Sequence, residues 1–220
     1  MCVYAKAILT IMLNNPDEEH PMTRKQTLRM ALIAALLGAT LAPAAQAAPE
    51  KFTLDTAHSY PFFEINHLGW STTRGSFQKM SGTATLDFAA KQGSAEIVID
   101  ANSLDTGDAK RDEHLRGEDF FAVAQYPTIT FKSDTLSFEG DKLVKADGQL
   151  TLRGVTRPVT LSFSLFKCGE HPIYKKYYCG GDATATIKRS DFGMSAYPGA
   201  VGEQVKLSIQ VEAARDGKTQ

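Results

Sequence analysis

From about residue 50 onward the chain alternates apolar and polar positions. Val205-Lys206-Leu207-Ser208-Ile209-Gln210-Val211 does so without a break, and Val159-Thr160-Leu161-Ser162-Phe163-Ser164-Leu165 repeats the pattern. A period of two marks a β-strand with one dry face and one wet face. Shorter segments read the same way: Phe52-x-Leu54, Phe63-x-Ile65, Ala84-x-Leu86-x-Phe88, Ile97-x-Ile99, Ile129-x-Phe131, Leu136-x-Phe138, Leu150-x-Leu152 and Ala183-x-Ala185-x-Ile187. Turn residues separate them. Glu139-Gly140-Asp141-Lys142 predicts a hairpin, and Lys91-Gln92-Gly93 and Arg153-Gly154-Val155-Thr156-Arg157-Pro158 are similar punctuation. Two stretches depart from the pattern. Gly69 to Met80 is expected to hold a short helix. Asp108 to Asp119, dense in charge around Leu115, is expected to form a short surface helix, with the following Phe120-Phe121 docking on the body. Many short strands with almost no helix predict an all-β sandwich or barrel, and the pattern leaves that choice open. A barrel of about eight strands has an interior just wide enough for one small ligand.

The N-terminus reads as a targeting segment. Arg24, Lys25 and Arg29 precede an apolar run from Met30 to Ala42, and Ala45-Gln46-Ala47 follows as a small-residue cleavage signal. The run is about 13 residues, short of the roughly 20 a membrane span needs. Residues 1–47 are therefore expected to be a leader with a cleavable signal peptide. Ala48 would be the first mature residue of a single domain spanning 48–220. The acidic stretch Asn14-Asn15-Pro16-Asp17-Glu18-Glu19 does not suit a signal, so translation is expected to start at Met22.

Composition narrows the partners. Of 220 residues 43% are hydrophobic and 22% charged, with 12 Phe and a formal charge of −1, so there is core-forming material and no basic stripe to suggest nucleic-acid binding. Cys2 falls in the leader. Cys168 and Cys179 remain, an even number in an exported chain, and are expected to form a disulfide. They are too far apart for a C-x-x-C redox or metal motif. Asp191-Phe192-Gly193 matches a kinase tripeptide, but no glycine-rich phosphate loop or H-R-D accompanies it, so it reads as a turn after the strand ending near Lys188. There is no G-x-S-x-G and no H-E-x-x-H. His58, His67, His114 and His171 include no helical metal pair, and no metal or other cofactor is expected. His67 follows the Phe63–Ile65 alternation and is a candidate for meeting a ligand's polar end. Arg116 and Arg157 are candidate anion partners. Phe63, Trp70, Phe131 and Phe163 either line one cavity or fill a solid core.

The order of several short motifs resembles the YceI-like family of periplasmic lipid-binding proteins. It runs from Asp55-Thr56-Ala57-His58-Ser59 through Ile65-Asn66-His67-Leu68-Gly69 and Gly75-Ser76-Phe77. Next come Lys110-Arg111-Asp112-Glu113-His114-Leu115-Arg116 with Asp119-Phe120-Phe121, and Tyr126-Pro127-Thr128-Ile129-Thr130-Phe131. Then follow Gly148 to Val159 and Ile187 to Met194. The resemblance implies an extended lipocalin-like antiparallel β-barrel of about eight strands with one or two short helices. It also implies an internal tunnel for a polyisoprenoid, an isoprenoid quinone or another amphipathic lipid. Phe63, Ile65, His67, Trp70, Phe131 and Phe163 are the expected ligand-binding residues.

On that reading the mature protein works in the periplasm, does not span a membrane and is not an enzyme. A homodimer is an open possibility. Affinity from an apolar wall needs no catalytic signature, because each buried methylene contributes about 0.8 kcal/mol. Two other readings stay open: an enzyme acting on lipid head groups through His67, His114 and Arg116, and an interaction module that supports a membrane redox partner through Asp108 to Asp119.

Overall fold

The alternation seen in the sequence becomes eleven antiparallel strands in the computed structural model, which describes residues 48–217. The strands are β1 (Glu50–Leu54), β2 (Tyr60–His67), β3 (Ser71–Phe77), β4 (Met80–Asp87), β5 (Gln92–Asp100), β6 (Leu104–Asp105), β7 (Thr128–Glu139), β8 (Lys142–Leu152), β9 (Val155–Glu170), β10 (Tyr177–Lys188) and β11 (Val201–Arg215). One α-helix, α1 (Ala109–Arg116), lies between β6 and β7.

The strands make eight staves of a closed barrel. Neighbours run β1-β4-β5-β7-β8-β9-β10-β11, and β11 pairs back onto β1 with Leu54 opposite Ala213. Closure removes the exposed sheet edges that would otherwise invite aggregation. Strands β2, β3 and β6 prolong three staves beyond a break. β2 continues β1 along β11, with Tyr60 opposite Gln210, and β3 continues into β4. At the second break Gln78 donates its amide to the Ser103 carbonyl and the Asp100 amide goes to Lys79, so the sheet hydrogen bonds switch partner rather than lapse.

The expected helix over Gly69 to Met80 is replaced by β3 and the start of β4. Phe77 and Met80 are both buried at a spacing of three, which imitates helix periodicity, but the spacing comes from the Gln78–Lys79 break. Thr72 and Thr73, being β-branched, favour the strand, and Gly75 disfavours the helix. The second expected helix is present as α1. Asp108 caps it by accepting from the Arg111 amide at 2.8 Å, and buried Asp112 accepts the Thr106 amide at 2.9 Å.

A β-bulge between Asp182 and Ala183 shifts the β9–β10 register. Phe163 faces inward, and the shift then turns Leu165 out and brings in Phe166. Leu165 is therefore more than half exposed, although uninterrupted alternation would have buried it. Beyond the bulge Cys168 and Cys179 face each other across the ladder and form the expected disulfide.

The break between β1 and β2 is clamped by the Asp55-to-Ser59 segment. Ser59 is fully buried. Its Oγ donates to the Glu212 carbonyl and accepts from the Glu212 amide, which restores the β11 hydrogen bonds that the missing strand would have made. His58 Nδ1 bonds Asp55 Oδ2 at 3.0 Å. That hydrogen bond, and then the carboxylate charge, raises the His58 imidazole above its ordinary value. Partial burial works to raise the Asp55 carboxyl, but the His58 bond and the Ala57 amide outweigh it and hold the carboxyl below its ordinary value. The raised imidazole contributes stability fully below its unfolded pKa of about 6.5 and loses it as pH climbs through the folded pKa. The lowered carboxyl contributes above about 3.9 and loses its part as pH falls. In urea unfolding, the advantage of wild type over His58→Gln is expected to be largest between about pH 4 and 6.5 and to shrink toward about pH 8.5. An advantage that stays flat across this range would show that the pair is not linked to folding.

Candidate functional site: a barrel cavity with one polar mouth

Inward residues of every stave enclose a cavity of about 460 Å³ inside the barrel. Its wall is built by the alternation: Ile97 and Ile99 on β5, Leu150 and Leu152 on β8, Val159 and Leu161 on β9, and Val205, Leu207, Ile209 and Val211 on β11. The floor is closed by Phe52, fully buried, with Leu136, Leu143, Phe166, Cys179 and Ala213. Phe163 and Phe166 meet edge to face there at 6.4 Å, and the disulfide staples the hairpin beneath them.

The opposite end is the mouth. Every charged or side-chain amide or hydroxyl group on the cavity wall belongs to it: Asn66, His67, Thr73, Arg111, His114, Arg189 and Tyr197. Asn66, His67, Arg111, His114 and Tyr197 are exposed to solvent, whereas the floor residues are buried or nearly so. The mouth is roofed by the segment that follows α1. Phe121 packs against Phe77 at 5.4 Å and Phe63 at 6.3 Å. Phe120 stacks on Tyr197 at 5.9 Å and meets the His114 ring edge to face, while Tyr197 Oη and His114 Nε2 share a 3.2 Å hydrogen bond. The docking of Phe120-Phe121 read from the sequence thus takes the form of a roof over the mouth.

Of the residues expected to bind a ligand, Phe63 and Phe131 are buried on the wall, Ile65 and Phe163 are half-buried on it, and His67 stands at the rim. Three of the aromatics share a local device. Each ring lies over a glycine of the neighbouring strand: Phe63 over Gly75, Phe131 over Gly148 and Phe163 over Gly181. A side chain at Gly75 would begin 2.4 Å from the Phe63 ring, and one at Gly148 only 2.5 Å from that of Phe131. These rings lie back against the wall and leave the centre open.

Trp70 is a correction. It is 90% exposed and does not line the cavity. The chain reverses at Leu68-Gly69 immediately before it, so Trp70 leaves the barrel at the β2–β3 tip, where no facing stave exists to cover it.

The arginines also sort differently from expectation. Arg116 donates to the Asn102 and Leu104 carbonyls and braces the segment leading to α1, and Arg157 reaches the Asp191 carbonyl. The arginines at the cavity are instead Arg111, exposed at the mouth, and the buried Arg189. Arg189 is 3% exposed and donates to the carbonyls of Met194, Ala196, Val201 and Gly202 at 2.7 to 3.2 Å. It stands where the Asp191-Phe192-Gly193 turn begins, with Gly193 left-handed at φ 77° and Phe192 almost wholly buried. No local sequence signal marks it, because its acceptors are backbone groups.

Among the described residues, one trio of metal-ligand type comes together: Asp55, His58 and Glu212, with ligand atoms within 4.8 Å. It lies at the β1–β2 break, where His58 and Asp55 already bond each other. Among the described residues, no helix is long and apolar enough to cross a membrane.

An antiparallel eight-stave barrel with an apolar interior and one polar mouth is a lipocalin-like fold. The chain belongs to the YceI-like family, whose domain model matches residues 52–213. It is 40% identical over 189 residues to protein YceI of Salmonella arizonae, covering 82% of this chain and 97% of that one. Among solved structures, Burkholderia cenocepacia BcnA is 26% identical with a TM-score of 0.62, over 72% of this chain and 98% of that one. A polyisoprenoid binding domain from Saccharophagus degradans, implicated in plant cell wall breakdown, shares the fold at 21% identity and a TM-score of 0.55, over 75% and 98% of the two chains.

Proposed function

We propose that this protein is a periplasmic carrier that holds the long apolar tail of an amphipathic lipid, of polyisoprenoid or isoprenoid-quinone type, inside the barrel. The observation that carries the reading is the division of the cavity: an apolar wall and floor, with polar side chains gathered at one end. Such a space takes a tail by area alone. About ten buried methylenes contribute about 8 kcal/mol, ordering costs subtract from that sum, and micromolar binding, about −8 kcal/mol net, therefore takes a longer buried tail. His67, Arg111, His114 and Tyr197 would orient a polar head at the mouth, where water can still reach it. Membership of the YceI-like family and the likeness to a polyisoprenoid binding domain support the lipid class. The disulfide suits an oxidising compartment. The leader expected over residues 1–47 lies outside the described residues, and it supplies the export route of this reading.

The test is native mass spectrometry of the protein purified from its own cells, followed by organic extraction. One long-chain amphipath per chain is the expected result. A clean apo mass under repeatedly gentle conditions would overturn the carrier reading.

A further inference from the structure

The β2–β3 tip carries the most exposed large apolar side chains near the mouth. Trp70 is 90% exposed and Leu68 52%. Exposure of this kind in a loose loop would mean little, but this tip is held. The Trp70 amide bonds the His67 carbonyl at 3.0 Å, the Gly69 amide bonds Asn66 Oδ1 at 2.8 Å, and the Leu68 amide bonds the Ala200 carbonyl at 2.8 Å. Leu68 and Gly69 both have left-handed backbones, at φ 55° and 75°. A β-turn with left-handed backbone at both central residues favours Asn, Asp or Gly at the first of them. A leucine there is strained, and it brings no polar group to bond the turn. The sequence thus places apolar bulk in water at a position where polarity and small size would serve folding better.

The tip is continuous with the cavity. Asn66 and His67 on its β2 side, and Ala200 and Val201 where β11 begins, all line the mouth. Its flanks, Ser71, Thr72 and Thr73, carry hydroxyls and no charge. An apolar pair with an indole, edged by hydroxyl groups and backed by arginine and histidine at the mouth, matches the groups that settle at a bilayer's head-group layer.

We infer that Leu68 and Trp70 form a membrane-docking tip that seats the barrel mouth on a phospholipid surface, where an apolar cargo can pass without crossing water. A second protein is the poorer occupant. A specific interface covers about 800 Å² per partner, far more than two side chains at a hairpin tip present. A bilayer requires no matching shape. The inference rests on the carrier reading for its purpose, but the docking itself can be observed separately.

Trp70 is the single tryptophan of the chain, so its fluorescence reports the tip alone. The protein is titrated with vesicles of mixed phosphatidylethanolamine and phosphatidylglycerol. The expected result is a blue shift of the emission and quenching by lipids brominated high on the acyl chain. Leu68→Asp is expected to lower vesicle partitioning at least about tenfold, the loss of one buried leucine side chain, while keeping the wild-type circular dichroism. Unchanged emission at saturating vesicle concentration overturns the inference. So does a blue shift that grows with protein concentration in the absence of vesicles, which would identify a second copy as the occupant. Cargo is measured on the same samples by mass spectrometry. A lipid-loaded protein whose emission ignores vesicles refutes the tip and leaves the carrier reading standing. An empty barrel that still docks supports the tip and refutes the carrier.

Discussion

Phe163→Asp is expected to yield a folded barrel that binds a fluorescent long-chain lipid probe at least about a hundredfold more weakly than wild type. The ring is half-buried on the cavity wall near the floor, where a tail would reach deepest. Its loss removes about 2 kcal/mol of apolar contact. The carboxylate then faces an apolar chain in a space whose polar groups all lie at the far end, a further penalty of at least about 1 to 3 kcal/mol. Each 1.4 kcal/mol is about tenfold in affinity. Phe163→Leu serves as the control, because it keeps an apolar wall and should stay within about tenfold of wild type. A folded Phe163→Asp protein with wild-type affinity would mean that the tail does not occupy the deep cavity.

Arg189→Met is expected to cost stability rather than contact with cargo. Four backbone carbonyls around the mouth converge on this buried guanidinium, and together they fix the loop that carries Tyr197. Methionine fills much of the volume but donates nothing, so the carbonyls are left unpaired away from water. The Glu203 carboxyl loses support as well. It is held below its ordinary value first by the Ser190 hydroxyl, and the Arg189 charge adds to this. Each buried acceptor left unpaired costs about 1 to 3 kcal/mol, and with partial relaxation the total is expected to be about 3 to 5 kcal/mol. For a domain of this size that corresponds to roughly 10 °C in Tm. Arg189→Lys should recover little, since an ammonium cannot span the same fork of acceptors. A thermal scan of both variants is the measurement. A Tm within a degree or two of wild type in the methionine variant would show that water replaces the guanidinium.

The two variants differ in how visible their targets were in the sequence. Phe163 stood in a seven-residue alternation, and its inward side was legible because a strand's period depends only on neighbours two apart. The same run suggested that Leu165 would share that face. It does not, because the bulge that turns it outward is a register shift against β10 and belongs to the pairing, not to the run. Arg189 lay inside the Ile187 to Met194 motif, but nothing there marked it as a bracing residue. Its acceptors are main-chain groups, which every sequence has, and only the folded loop brings four of them to one point.

What the sequence determined by itself was local: most of the strands, though not β3, the hairpin at Glu139–Lys142, the helix beginning near Asp108, and the two aromatics behind it. It also supplied two cysteines that the fold then set face to face. The family resemblance placed those strands in a barrel. The pattern itself could not, because closure joins Leu54 to Ala213 across most of the chain and no local period encodes that pairing. Tertiary structure alone decided that the interior is open rather than solid. The enclosed space follows from strand number and stagger set against side-chain volume, and here three phenylalanine rings are laid flat by glycines on adjacent strands. It also decided that Trp70 faces water. An aromatic is buried only where another element covers it, and at the β2–β3 tip the barrel has already ended.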